Sequence, residues 1–248
     1  MKYLIFSDES GKWNEGDYYI RSWIRITPEN YDLLRKEVIF SKHETGVKEL
    51  KWEKFRKNID KFKNIFLVDF SVFITITKPQ HFQLRTYNII NAISAVPVST
   101  GGQALTDKIK TKIINSAKNE LFFNYFEKIH IENSKNALVK DEDPQEYKYL
   151  IDTPQYLDRE WENIAKDCDI EQIDITKISA SNPGIEVSDV ISGCVMDLLL
   201  TKNEAKDTYD NFIKSKMCDM GSKTYPNPNL IFYQDFTDEE KKQINIFR

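Results

Sequence analysis

The hydrophobic pattern opens with an unbroken run, Tyr3, Leu4, Ile5 and Phe6, bounded by Asp8 and Gly11. It predicts a short strand buried on both faces, central in a sheet and ending on Asp8, Glu9, Ser10 and Gly11. After a loop over residues 10–16, Ile20, Ser22, Ile24 and Ile26 alternate with Tyr19, Arg21, Trp23 and Arg25, the pattern of a strand with one polar face. So short a connection joins antiparallel strands, because a parallel crossover needs about a dozen residues. Residues 29–40 predict a helix, and after a polar loop a second helix carries Trp52, Phe55 and Phe62. Val68, Phe70, Val72, Ile74 and Ile76 then alternate with Asp69, Ser71, Thr75 and Thr77 until Pro79, the clearest strand in the chain.

A helix over 82–94 leads through a loop at Pro97, Gly101 and Gly102 into a longer helix with Leu105, Ile109, Ile113, Ala117, Leu121 and Tyr125 at four-residue spacing. Core packing explains such a stripe. Residues 139–148 are acidic and polar and read as an exposed loop. Tyr149, Leu150 and Ile151 form a short strand running into Asp152, residues 155–166 read as helix and 170–178 as strand. Asn182 as cap and Pro183 at the first position start an apolar helix through Val187, Val190, Ile191, Cys194, Val195, Leu198 and Leu199, with Asp189 inside it. Turn residues at 226–229 precede one edge strand over 230–233.

The 248 residues are 40% hydrophobic and 30% charged with 8 Gly and 8 Pro, a globular composition that one α/β domain over 1–248 can fill. The opening apolar run is too short for a signal-peptide core or a membrane span, so a cytoplasmic protein with no membrane partner is expected. Cys168, Cys194 and Cys218 lack CxxC pairing and read as reduced thiols, while His43, His81 and His130 lack metal-site spacing. A net charge of −4 argues against coating nucleic acid through bulk positive charge and leaves room for local basic surfaces.

Three carboxylates occupy special places: Asp8 and Asp152 just past the ends of apolar strands, and Asp189 in an apolar helix. Ends of neighbouring parallel strands lie close together, at the edge where α/β sheets place ligands. Clustered carboxylates repel one another unless a cation neutralises them, and oxygen ligands suit Mg²⁺ or Mn²⁺. Plainer roles exist for each: a turn former for Asp8, a helix cap for Asp152, a helix-dipole partner for Asp189. Residues 48–63, KELKWEKFRKNIDKFK, hold seven basic against three acidic side chains, interleaved with aromatics that could contact bases or simply pack. Glu49 and Lys51 can point into the same site. Gly221, Ser222, Lys223 and Thr224 lack the glycine spacing of a phosphate loop.

Asp8-Glu9-Ser10-Gly11, then Glu49-Leu50-Lys51-Trp52, then the run from Gly184 to Gly193 resemble the family catalogued as domain of unknown function 3800. The resemblance spans nearly the whole chain. It implies a ribonuclease H-like three-layer α/β/α fold with a mixed sheet, its first hairpin antiparallel and later strands parallel, and a helical insertion at about 82–130. By resemblance Asp8 and Asp189 are acidic site residues, Glu49 and Lys51 lie nearby and Gly11 shapes the turn. Asp152 matches by position the strand-end acid of such folds. Glu186 and Ser188 depart from the Gln and Ala usual in the family.

The expected function is a metal-dependent nuclease hydrolysing DNA or RNA, of a family often linked to mobile elements or phage defence. Two divalent ions, Mg²⁺ or Mn²⁺, roughly 4 Å apart, would be held by Asp8, Asp189, Asp152 and Glu49, with Lys51 adding positive charge near the scissile phosphate. The alternatives are a catalytically silent module binding nucleic acid or a protein partner, and a phosphatase with a strand-end Asp nucleophile.

Overall fold

A computed structural model describes residues 1–12, 15–95, 107–153, 158–176, 182–200, 203–218, 229–231 and 233–244. The expected loop at Pro97, Gly101 and Gly102 and most of the turn at 226–229 lie outside these residues, as do the start of the 155–166 helix and the end of the 170–178 strand. Five strands, β1 (Tyr3–Lys12), β2 (Glu15–Ile26), β3 (Ser71–Thr77), β4 (Tyr147–Asp152) and β5 (Ile173–Thr176), form one sheet in the order β3-β2-β1-β4-β5. β1 and β2 pair antiparallel, as do β2 and β3, whereas β4 runs parallel to both β1 and β5. The sheet is mixed as expected, its first three strands antiparallel and the later ones parallel.

Alternation along each strand feeds two cores. Phe6, Ile20, Ile24, Val72 and Ile74 face one side, against Leu34 and Val38 of α1 (Pro28–Thr45) and the apolar residues of the helix at Pro183–Leu199. Ile5, Tyr19, Trp23, Phe73 and Tyr149 face the other, against Phe122, Phe123, Ile131, Trp161 and Ile164. The result is three layers, helices on both faces of the sheet.

Between β2 and β3 the expected second helix is broken into α2 (Trp52–Lys57), α3 (Ile59–Phe62) and a 3₁₀ turn at Lys63–Leu67. The break falls at Asn58, whose φ of −136° and ψ of 35° are not helical and whose side-chain amide donates to the Lys54 carbonyl. Between β3 and β4 run α4 (Pro79–Ala95), α5 (Asp107–Leu121), a π-helical turn at Phe122–Glu127 and α6 (Lys128–Leu138). Then come α7 (Asp158–Asp167) and α8 (Pro183–Leu199), which Asn182 caps by accepting the Gly184 N–H. Smaller helices follow, α9 (Asn203–Thr208) and α10 (Asp238–Ile244).

Several expectations need correction. β1 does not stop before Asp8: its pairing with β2 continues through Glu9↔Arg21 and Ser10↔Ile20 to Lys12↔Glu15, because backbone groups pair whatever the side-chain polarity. β2 has no solvated face, since Arg21 and Ser22 are both fully buried. β3 begins at Ser71 and the loop at 139–148 ends early, with Tyr147 already buried in β4. Ile109 and Ile113 of the α5 stripe are nearly half exposed; α5 lies along α4 and packs into the core only near Leu121. Leu230 makes one isolated bridge to Ile76 rather than a strand. Cys168 and Cys194 are buried free thiols and Cys218 is half-buried. Among the described residues no helix is long and apolar enough to cross a membrane.

Candidate active site

The parallel pairing of β1 with β4 runs through Phe6↔Leu150 and Ser7↔Ile151, so Asp8 and Asp152 occupy the next positions on adjacent strands. Asp8 lies within β1 and Asp152 is the last residue of β4, neither beyond its strand as expected. By strand alternation Asp8 shares the α8 face with Phe6. Its N–H donates to the Ser188 hydroxyl at 3.1 Å, Ser188 donates to the Ser22 carbonyl at 3.0 Å, and Ser22 donates to the Ser188 carbonyl at 2.7 Å. Ser188 therefore staples α8 to the hairpin, immediately before Asp189.

The second motif meets α8 from the other side. Oδ1 of Asp189 accepts the Trp52 N–H at 3.1 Å, so Asp189 caps the start of α2, whose own N-cap, Lys51, makes no side-chain cap bond. This replaces the helix-dipole role considered for it. Glu186 is fully buried, pairs with Lys42 at 2.7 Å and accepts the Leu50 N–H at 3.2 Å. Glu186 thus ties α8 to α1 and to the 46–51 loop. A Cβ on Gly193 would meet Cβ of Trp52 at 2.5 Å, and one on Gly184 would meet the Phe6 ring at 2.4 Å. Gly193→Ala should force α2 off α8, lowering stability by about 1–3 kcal/mol and lifting the Trp52 N–H from Asp189; a melting temperature unchanged within a degree would contradict that contact.

Burial, then the charges of Asp189 and Asp152, push the Asp8 carboxyl up to about 8, against the Glu9 N–H and Arg21, which pull it down. Asp189 is raised by burial and by Glu49 and Asp152, with the Trp52 N–H and Lys51 opposing. Partial desolvation works against the Lys51 charge, but Asp189, Glu49 and Asp8 outweigh it and leave its pKa raised. Lys51 also pairs with Glu49 at 3.5 Å. All five expected site residues, Asp8, Asp189, Asp152, Glu49 and Lys51, are thus brought into one electrostatic neighbourhood. Among the described residues, however, no group of three or more His, Cys, Asp or Glu side chains is arranged to hold an ion. Asp152 bonds its neighbour, Oδ1 accepting the Thr153 N–H at 2.8 Å. Trp52, Phe55 and Phe62 are buried in the core and cannot stack on bases.

Sequence reasoning missed the support on the opposite face. Arg21, fully buried, donates to the Asp152 carbonyl at 2.9 Å and to Ser7 Oγ at 3.2 Å, and it pairs with Glu127 at 2.9 Å and Glu9 at 3.3 Å. Tyr19 donates to Glu127 at 2.8 Å. The signal was faint: an arginine on the presumed polar face, meaningful only once the hairpin register places it opposite Glu9.

No protein-family model matches the chain, and no curated protein does. Among solved structures it is similar to a chain in the PCNA:RNase HII complex from Archaeoglobus fulgidus, at 15% identity and TM-score 0.43, covering 92% of this chain and 84% of that one. It is similar to ribonuclease H2 from Pyrococcus horikoshii OT3 at 12% identity and TM-score 0.43, covering 99% of each chain. For Bst-RNase HIII in complex with Mn²⁺ the values are 16% and 0.37, covering 80% of this chain and 54% of that one. Likenesses this distant say nothing of the chemistry of this chain. The antiparallel β1–β2 hairpin also removes the parallel crossover that a strand-end-Asp phosphatase would use.

Proposed function

We propose that the chain is a divalent-metal-dependent nuclease hydrolysing phosphodiester bonds of DNA or RNA, and a divergent member of the family catalogued as domain of unknown function 3800. The observation that carries this reading is the meeting of three sequence-distant motifs: Asp8 against Ser188, and Asp189 against the first N–H of α2. The chemistry of the donors suits Mg²⁺ or Mn²⁺: Asp8 is buried and Asp189, Asp152 and Glu49 are half-buried oxygen donors, and a cation would relieve the repulsion that raises Asp8 and Asp189. Asp8, Asp189, Asp152 and Glu49 are the residues to hold it. Divalent ions bound there would supply activated water and stabilisation of the leaving oxygen. The chain's own contribution is positional. Asp189 is oriented by the Trp52 N–H, Asp152 is held through its carbonyl by Arg21, and Lys51 presents an ammonium to a phosphate charge.

The test is cleavage of labelled DNA and RNA with Mn²⁺, Mg²⁺ or EDTA. Metal-dependent cleavage should fall at least about a hundredfold in Asp189→Asn and in Asp8→Asn. Asparagine can still accept the Trp52 N–H, so the fold is kept. A fully active Asp8→Asn protein ends the proposal; tight binding without cleavage, indifferent to that substitution, would favour a silent binding module.

A further inference from the structure

The basic segment of the second motif is not absorbed by this chemistry. A cleft of about 690 Å³ opens between the 46–51 loop and α2, with Lys48, Lys51, Lys54 and Lys57 beside Glu49 and Glu53 on its walls. A second, of about 620 Å³, shares Lys57 and continues past Arg56 to Asn211 and Phe212. A third, of about 360 Å³, shares Asn211 and Phe212 and ends at Lys63. The three clefts are neighbours along the α2–α3 excursion, Lys57 walling the first two and Asn211 and Phe212 the last two, so that together they make a furrow of adjoining clefts from Glu49 and Lys51 outward. Lys51, Arg56 and Lys63 have acidic neighbours in Glu49, Asp197 and Asp60. Lys48, Lys54 and Lys57 are exposed, and no such pair involves them among the described residues. The walls hold six basic side chains (Lys48, Lys51, Lys54, Arg56, Lys57 and Lys63) against three acidic ones (Glu49, Glu53 and Asp207), and in a chain of net charge −4 this local surplus concentrates positive potential where a polyanion would lie.

The aromatics of the same segment face inward. Trp52, Phe55 and Phe62 sit in the core, so the segment offers cations to phosphates and withholds its rings from bases. We propose that the furrow is the track of a nucleic-acid sugar-phosphate backbone leading away from the candidate site, gripped through phosphates and blind to base sequence. The inference rests on the nucleic-acid reading above and deepens it.

The experiment measures binding, not turnover. Fluorescence anisotropy in EDTA follows the full chain with labelled single- and double-stranded DNA and RNA of two unrelated sequences, over a range of salt. Lys54→Glu/Lys57→Glu should weaken binding at least about tenfold at low salt and reduce the slope of log K against log salt by roughly 1.4–1.8, the loss of two phosphate contacts. Lys54→Gln/Lys57→Gln should show the same change of slope, and a melting curve checks that both variants fold. The two sequences should bind alike within about threefold, and the strand type bound tightest identifies the backbone geometry. An unchanged slope, a strong sequence preference, or no binding by the wild type would overturn the track. Metal-dependent cleavage with an unchanged slope removes the track and leaves the nuclease; the expected slope without any cleavage removes the nuclease and leaves the track.

Discussion

Asp8→Asn should raise the thermal stability of the metal-free protein while abolishing its cleavage. The folded chain holds the Asp8 carboxyl at about 8 against an ordinary 3.8, so between those values the native state keeps a proton that the unfolded chain releases. Stability from this group is therefore complete below about pH 4 and is lost as pH rises towards 8. Asparagine carries no such slope. Variant and wild type should melt together near pH 4 and diverge with rising pH, reaching a gap of several kcal/mol, or roughly 10–20 °C, by pH 8 in EDTA. Added Mn²⁺ should close the gap by stabilising only the wild type. A variant that is less stable than wild type at every pH would make Asp8 a structural turn residue, and the nuclease reading would lose its central ligand.

Arg21→Met should be among the most damaging single changes in the chain. It leaves Glu127 fully buried and Glu9 largely so without their cation, a loss of about 3–5 kcal/mol, equivalent to a melting temperature lower by roughly 10 °C or more. It also frees the Asp152 carbonyl and removes a charge that pulls the Asp8 carboxyl down. Arg21→Met/Glu127→Met should recover a large part of the loss, because the orphaned carboxylate goes with its partner. Denaturant unfolding of the four proteins in a double-mutant cycle measures this. Strict additivity of the two losses would show that the ion pair does not tie β2 to the helical turn at Phe122–Glu127.

The fold was legible where periodicity is strong and local. The alternation in β2 and β3, the short β1–β2 connection and the Asn182-Pro183 start of α8 all specify structure through nearest neighbours, and all were readable. The placement of Asp8 and Asp152 on neighbouring parallel strands was readable too, from strand position. What stayed hidden depends on contacts between distant segments. That β1 runs on through Asp8 follows from its partner strand, not from its own polarity. That Trp52 packs inward follows from Gly193, and that Arg21 is buried follows from Glu127, more than a hundred residues later. Ile109 and Ile113 carry a core-like pattern that α4 leaves half uncovered, since periodicity names an apolar face without naming what lies against it.

Under the proposed nuclease reading, the fit of α8 against Phe6 and Trp52, with no room for one methyl group at Gly184 or Gly193, divides the labour of substrate accommodation. A helix clamped on two sides acts as an anvil: it cannot shift for one substrate and return for another without uncovering the core that it walls. On the same proposed reading, adjustment to strands of different width falls to the part of the 46–51 loop that precedes Leu50, where Glu186 holds the chain; it starts at Gly46 in the left-handed conformation at φ 68° with nothing within 4 Å of where its side chain would be. Changes in substrate preference within this architecture should accordingly accumulate in that loop and along the outer side of α2, while α8 stays as it is.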